Sequence, residues 1–310
     1  MKTIEQIAQF FNDSEYFTGS VKINENLAGH TTMHVGGSAK LFLEPENEEG
    51  LVFAVRYLIE ENIKFFVLGG GSNVIISDNG LDVVISTRKM NSINVFDAAS
   101  RESTQICVSA GSSWGNVISF CKKNNLGGFE SFTGLSGTVG GALFMNATCF
   151  GLSACDNLLS VRYFDLIDGK IHEYKKVDSD WGYKKSPFQA AEKIILSAKF
   201  SGTQGFDSEK SEKCISGRKE KGHFRAPSAG SAFKNDAEHG IIAGKVIDEC
   251  GLKGFSVGGA QIAPWHGNFI INPEQKATAA DIKKLADEVR KIVLEKKGIR
   301  MESEILFIEL

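Results

Sequence analysis

Residues 134–151 read G-L-S-G-T-V-G-G-A-L-F-M-N-A-T-C-F-G, with Gly134, Gly137, Gly140 and Gly141 set close together and an apolar patch at 142–145 directly after them. Glycine is costly inside regular structure. It is useful where the backbone takes positive φ or must let a ligand come close. Such density just before residues that can pack points to a cradle of backbone N–H groups for an anion such as a pyrophosphate. A tight loop with no ligand is the plainer alternative. Two further Gly-rich segments follow expected strands, G-G-G-S-N at 69–73 and G-S-S at 111–113. No G-x-x-x-x-G-K-[ST] occurs, so none is a P-loop. No G-x-G-x-x-G opens a helix in a clean βαβ unit, so a nicotinamide Rossmann domain fits poorly. Several cradles in one chain fit a large phosphorylated cofactor better than a single phosphate.

The chain of 310 residues has room for two or three domains, and 42% hydrophobic with 24% charged residues is ordinary for a soluble globular protein. A net charge of −3 leaves no electrostatic footprint for nucleic acid. No apolar run is long enough to span a bilayer, and the N-terminal stretch lacks the apolar core of a signal peptide, so a cytoplasmic location is expected. Six cysteines without a C-x-x-C read as buried reduced thiols. His30 and His34 are four apart, but Gly36-Gly37 follows at once and argues against the helix that would align them as ligands, so no metal site is expected.

Apolar spacing predicts helices over 1–18, 48–62, 114–124 (capped by Ser113), 207–222, 241–250 and 278–297. In the last, Thr278 and Asp281 form a capping box and Gly298 closes the helix. Short apolar or alternating runs predict strands over 64–68, 74–76, 83–85, 105–110, 161–165, 171–174, 194–200, 269–271 and 304–308. Residues 226–235 read as a loop.

Seven segments then carry a family likeness in order along nearly the whole chain. They are N-L-A-G-H-T-T-M-H-V-G-G-S-A (26–39), L-G-G-G-S-N-V-I-I-S-D-N-G (68–80), G-L-S-G-T-V-G-G-A-L-F-M-N-A (134–147), G-Y-K-K-S-P-F (182–188), A-G-S-A-F-K-N (229–235), A-G-K-V-I-D-E-C-G-L-K-G (243–254) and M-E-S-E-I-L-F-I (301–308). With them the chain resembles the UDP-N-acetylenolpyruvoylglucosamine reductase family. The short span between Tyr183 and Ser231 matches the shorter form, which lacks an insertion there.

The resemblance implies an α+β fold: a two-subdomain FAD-binding fold of the vanillyl-alcohol-oxidase/p-cresol-methylhydroxylase (PCMH) type, plus a C-terminal α/β substrate domain. The FAD-binding region is expected over 1–200, with subdomains at roughly 1–87 and 88–200, and the substrate domain over 201–310. The implied reaction uses NADPH and non-covalent FAD to reduce UDP-N-acetylglucosamine enolpyruvate to UDP-N-acetylmuramate, in peptidoglycan precursor synthesis. The partner is then a UDP-sugar, with neither nucleic acid nor membrane involved. A different flavin oxidoreductase on the same fold, such as an alcohol or hydroxyacid oxidase, is the second reading. A nucleotide-binding module without chemistry is the third.

Reducing an enol ether conjugated to a carboxylate requires a hydride at one carbon, a proton at the other, and stabilisation of charge on the carboxylate. By resemblance, Ser231 is the proton donor, Glu304 the catalytic glutamate and Tyr183 a substrate-binding residue. Lys184 stands where the family has its catalytic arginine; a lysine is a point charge where arginine offers a planar fork. Lys185 and Arg225 are alternatives for that charge. Lys234 and Asn235 are expected on the substrate's diphosphate or sugar. FAD contacts are expected from Gly69, Gly70, Gly71, Ser72 and Asn73, from Gly137, Thr138, Gly140, Gly141 and Ala142, and from Asn146. Ser136 replaces a proline of the family, and Trp265-His266 is a further departure.

Overall fold

The computed structural model describes residues 2–97, 103–189 and 192–309. Its elements begin with α1 (Ile4–Asp13), β1 (Gly19–Asn26), β2 (Ser38–Pro45), α2 (Glu48–Glu60), β3 (Phe66–Leu68), β4 (Val74–Ile76) and β5 (Leu81–Ser86). There follow β6 (Ile93–Asp97), β7 (Ser103–Ser109), α3 (Trp114–Lys123), β8 (Leu126–Gly127), α4 (Val139–Met145), β9 (Thr148–Cys149) and β10 (Leu152–Ser153). The remainder are β11 (Leu158–Asp165), β12 (Lys170–Lys175), β13 (Lys193–Gln204), α5 (Ser208–Glu220), β14 (Ser228–Ser231), α6 (Ala243–Glu249), β15 (Ser256–Val257), β16 (Ala260–Ile262), β17 (Phe269–Ile271), α7 (Ala279–Lys297) and β18 (Leu306–Ile308). Backbone contacts gather them into two discontinuous units. The first holds Met1–Ile23, Leu41–Gly70 and Val83–Ser216; the second holds Asn24–Lys40, Gly71–Asp82 and Gly217–Leu310.

The first unit has two cores. In one, a capping box between Thr3 and Gln6 starts α1 and turns Ile7, Ala8 and Phe11 to one face. That face packs with Leu51, Val55 and Leu58 of α2 and with Val83 and Ile85 of β5. Strands β3 and β5 are parallel, with Leu68 opposite Ser86. The segments after both strands therefore leave the sheet side by side. The other core lies under an antiparallel sheet in the order β12-β11-β13-β7-β6, with β8 added to β13. Ile106 and Val108 of β7, Val161 of β11 and Ala198 and Phe200 of β13 pack with Trp114, Val117 and Cys121 of α3 and with Val139 and Leu143 of α4. Side chains two apart on a strand share a face, so these strands put one face into the core.

The second unit contains the sheet β14-β17-β16-β15 and the parallel pair β4 and β18. Helix α7 shows both halves of the expected capping box at Thr278 and Asp281, and Gly298 ends it at φ +69°. The Asp78 carboxylate also accepts from the N–H groups of Ala279 (2.8 Å) and Ala280 (3.0 Å), opposite in sign to the helix terminus it meets. Ile282, Leu285, Ala286, Val289 and Val293 of α7 pack on Ile262, Ile270 and Ile247.

Three local expectations change. Residues 134–151 contain a true short helix, α4, whose first turn carries Gly140 and Gly141. Residues 226–235 include a strand, β14, which pairs Ser231 with Phe269. The last strand starts at Leu306, so Glu304 precedes it instead of opening it.

Candidate active site

In the first unit the Gly-rich segments are stitched by their backbones. Gly140 N–H donates to Ala110 O (2.8 Å), and Val139 N–H donates to Ser112 O (2.9 Å). Thr138 caps α4, its Oγ1 accepting from Gly141 N–H (3.4 Å). A Cβ on Gly140 would lie 2.9 Å from that of Ala110, which explains a glycine inside a helix. A Cβ on Gly70 would overlap the Gly137 backbone, and Gly137 itself takes φ +102°. Among the expected cofactor residues, Gly69, Gly70, Gly137, Thr138, Gly140, Gly141 and Ala142 thus belong to one assembly. The N–H groups of 139–142 donate within the protein, and the side-chain-poor backbone lets a dinucleotide pyrophosphate come close. Gly71, Ser72 and Asn73 belong to the second unit.

Asn146 closes α4 in the left-handed conformation and is 3% exposed. Its Nδ2 donates to Gly182 O (2.8 Å), and its Oδ1 accepts from Cys155 N–H (3.3 Å). The expected flavin ligand therefore supports the turn that carries Tyr183 and Lys184. That turn is closed by reciprocal backbone hydrogen bonds between Gly182 and Lys185. Lys184 adopts φ +55°, and its Nζ lies 5.7 Å from the Tyr183 ring centroid. Gln189 Nε2 donates to Lys184 O (2.9 Å), fixing the strained residue from behind. Tyr183 is 52% exposed.

In the second unit, residues 231–234 run beside 302–304. Glu304 N–H donates to Ala232 O (2.8 Å), and Lys234 N–H donates to Glu302 O (2.9 Å). This ladder brings the Ser231 and Glu304 segments together. Asn73 belongs to it: its Nδ2 donates to Glu304 O (3.0 Å), and its own carbonyl accepts from Leu306 N–H (3.0 Å). The two glutamates separate clearly. Glu302 is exposed and takes the Lys234 ammonium on Oε1 (2.5 Å), and Glu304 is half-buried. Lys234, expected on substrate, is thus held in an ion pair. Asn235 Oδ1 accepts from Ala243 N–H (3.0 Å) at the start of α6. Arg225, one alternative cation, stacks over Trp265 at 5.4 Å.

The position the sequence reading missed is Asn268, which is 4% exposed. Its Nδ2 donates to Phe233 O (2.8 Å), its Oδ1 accepts from Phe233 N–H (3.0 Å), and its carbonyl accepts from Ala232 N–H (2.8 Å). It clamps the two residues after Ser231. The only signal in the sequence is an amide beside the apolar run Phe269–Ile271. Nearby, His223 meets Phe269 edge-on at 4.7 Å, and His266 stacks on that ring at 4.0 Å. Burial, with Arg218 close by, pulls His223 down to about 4; burial and Lys221 lower His266 as well. All six cysteines are free thiols, and burial beside Glu130 pushes Cys121 up to about 12.

The chain is similar to known proteins. Residues 39–175 match the FAD binding domain model, and residues 222–308 match the model of the UDP-N-acetylenolpyruvoylglucosamine reductase C-terminal domain. The UDP-N-acetylenolpyruvoylglucosamine reductase of Treponema denticola is 40% identical over 305 residues, covering 93% of this chain and 94% of that protein. The protein of the same name from Borreliella burgdorferi is 38% identical over 290 residues, covering 92% and 93%. The crystal structure of the reductase from Thermus caldophilus superposes with a TM-score of 0.75 at 29% identity, covering 95% of this chain and all of that one.

Proposed function

Because the chain belongs to the UDP-N-acetylenolpyruvoylglucosamine reductase family, we propose that it reduces UDP-N-acetylglucosamine enolpyruvate to UDP-N-acetylmuramate, with FAD as cofactor and NADPH as electron donor. The reaction serves peptidoglycan precursor synthesis. The observation that carries the reading is the ladder pairing Ala232, the residue after Ser231, with Glu304, in a chain that also holds the glycine-stitched backbone cradle. The family-model matches support an FAD-binding region within 1–200 and a substrate domain within 201–310. Residues 24–40 and 71–82 cluster with the C-terminal unit.

FAD, when bound, passes reducing equivalents from NADPH to the enolpyruvyl double bond. The chain's own groups do the rest. The glycine-lined backbone at 69–70 and 137–138 holds the cofactor's pyrophosphate side, and the amides of 139–142, bonded within the protein, keep that backbone in shape. Ser231 Oγ gives the proton to the substrate carbon that does not receive the hydride. A hydroxyl is a weak acid in water, so it acts only when held close and oriented, which is what the Asn268 clamp provides. Glu304 supplies the carboxylate next to that proton transfer, fixed through its backbone by Ala232 and Asn73. Lys184 Nζ stabilises charge developing on the substrate carboxylate, and Tyr183 packs on the substrate. Lys234 and Asn235 face the diphosphate or sugar once Lys234 exchanges Glu302 for substrate. No helix among the described residues is long and apolar enough to cross a membrane, in keeping with a cytoplasmic enzyme.

The test is NADPH oxidation by the flavin-loaded protein on adding UDP-N-acetylglucosamine enolpyruvate. Substrate-dependent oxidation with formation of UDP-N-acetylmuramate is expected. Flavin that is reduced by NADPH and never reoxidised by this substrate would overturn the reading.

A further inference from the structure

We propose that Arg88 is the cationic ligand of the FAD pyrophosphate; the proposal rests on the FAD assignment above. The first unit contains a surface cavity of about 210 Å³ to which all three Gly-rich segments contribute, through Gly70, through Gly111 and Ser113, and through Gly137 and Thr138. Sites that enclose a whole drug-sized ligand are larger, roughly 300–1,000 Å³. This one takes a piece of the dinucleotide, and its lining says which piece. It is mostly backbone, hydroxyl and amide, and among the described residues around it Arg88 carries the only formal charge. Backbone N–H groups provide direction for an anion, and a guanidinium adds the charge that they lack.

The position of Arg88 follows from the fold. Strands β3 and β5 are parallel neighbours, so Gly69-Gly70 and the turn 87–90 leave the sheet at the same edge. Ligands of such sheets bind beyond the carboxyl ends of the strands. The turn is fixed: Thr87 N–H donates to Leu68 O (2.9 Å), and Met90 N–H donates to Thr87 O (2.9 Å). Gly111 lies so close that a Cβ there would overlap Thr87 O, which locks the second Gly-rich segment against the turn. Arg88 Nη2 already donates to Gly70 O at 3.4 Å, a long contact that aims the guanidinium across the cradle. The side chain is exposed, so replacing it disturbs no core.

The experiment uses the full-length protein stripped of flavin and titrated with FAD by fluorescence quenching at low and at physiological salt. Arg88→Gln is expected to weaken FAD binding about 10- to 100-fold, the loss of a charge-assisted hydrogen bond. It is also expected to flatten the decline of affinity with salt, because screening acts on the charge that has been removed. Arg88→Lys should fall between. Thermal unfolding of the stripped variants should match the wild type. Binding by Arg88→Gln within about twofold of wild type, or with an unchanged salt dependence, overturns the assignment. A variant that keeps its FAD affinity and raises only the KM for NADPH also overturns it, placing the cation on the other dinucleotide. A wild-type protein that takes up no FAD overturns both this proposal and the cofactor reading beneath it.

Discussion

Replacing Asn268 with alanine separates positioning from chemistry. The side chain makes two hydrogen bonds, one to each polar group of Phe233, and Phe233 is 1% exposed. Truncation leaves a buried N–H and a buried C=O without partners, at about 1–3 kcal/mol each. Water entering the vacated space offsets part of this, so about 3 kcal/mol is expected. At about 2–4 °C per kcal/mol for a fold of this size, the melting temperature should drop by about 6–12 °C. The main-chain bond from Ala232 N–H to Asn268 O survives, so the strand persists and only the clamp after Ser231 loosens. Loss of near-attack geometry at that hydroxyl should slow reoxidation of reduced flavin by substrate about 100-fold. Reduction by NADPH should stay within about twofold. Stopped-flow absorbance at the flavin band measures the two half-reactions separately. Asn268→Asp sharpens the test. It fills the same space and keeps the acceptor, but when ionised it turns an oxygen toward Phe233 O, so it should be as slow as alanine. Protonation restores a donor, and its reoxidation rate relative to wild type should rise as pH falls. An Asn268→Asp protein with wild-type reoxidation at neutral pH would refute the clamp.

Ser231→Ala should leave reduction by NADPH nearly intact and slow reoxidation by about 100-fold or more, read in the same stopped-flow traces; equal loss in both phases would remove the proton-donor role. Lys184→Arg should retain or raise turnover, because a planar fork suits a carboxylate at least as well as an ammonium; complete loss of steady-state activity would give Lys184 another role. Gly70→Ala should lower FAD affinity at least about 10-fold, because its Cβ overlaps the Gly137 backbone, and a variant purified with full flavin absorbance would contradict the packing. For His223, the folded value near 4 lies below the unfolded value near 6.5, so the unfolded chain binds the proton first as pH falls. Stability is therefore complete above pH 6.5 and declines between 6.5 and 4. After discounting for solvent screening the loss is about 1 kcal/mol by pH 5. His223→Gln should remove that part of the slope in melting temperature against pH.

The readable parts of the fold were those with local chemistry. Thr278 and Asp281 start a helix by their own hydrogen bonds, and Ser113 does the same for α3. The glycine clusters marked backbone that must pass close to backbone, and the family motifs named the ligand. Helix α4 was illegible because two glycines in its first turn argue against a helix; only the contact with Ala110, distant in sequence, makes them necessary. Glu304 looked like a strand residue because the alternation continues through it, and the register of β18 with β4 begins only at Leu306. The roles of Asn146, Asn73 and Asn268 stayed hidden for a common reason. A lone amide declares no partner, and each satisfies backbone groups that the chain brings near only on folding. Arg88 was an ordinary surface cation until the parallel pairing of β3 with β5 set it beside Gly70.

The stitching of the three Gly-rich segments also orders events in time. Gly70, Gly111 and Gly137 are far apart along the chain, and their close packing requires the sheets beneath them to be in place. Contacts of such long sequence separation form late and slowly. The cofactor can then neither seed nor hasten chain collapse; it meets a receptor that exists only near the end of folding. Added FAD should leave the refolding rate of the stripped protein unchanged and slow its unfolding. At a free concentration 100 times its Kd this amounts to about 2.7 kcal/mol, all of it on the unfolding limb of a chevron plot.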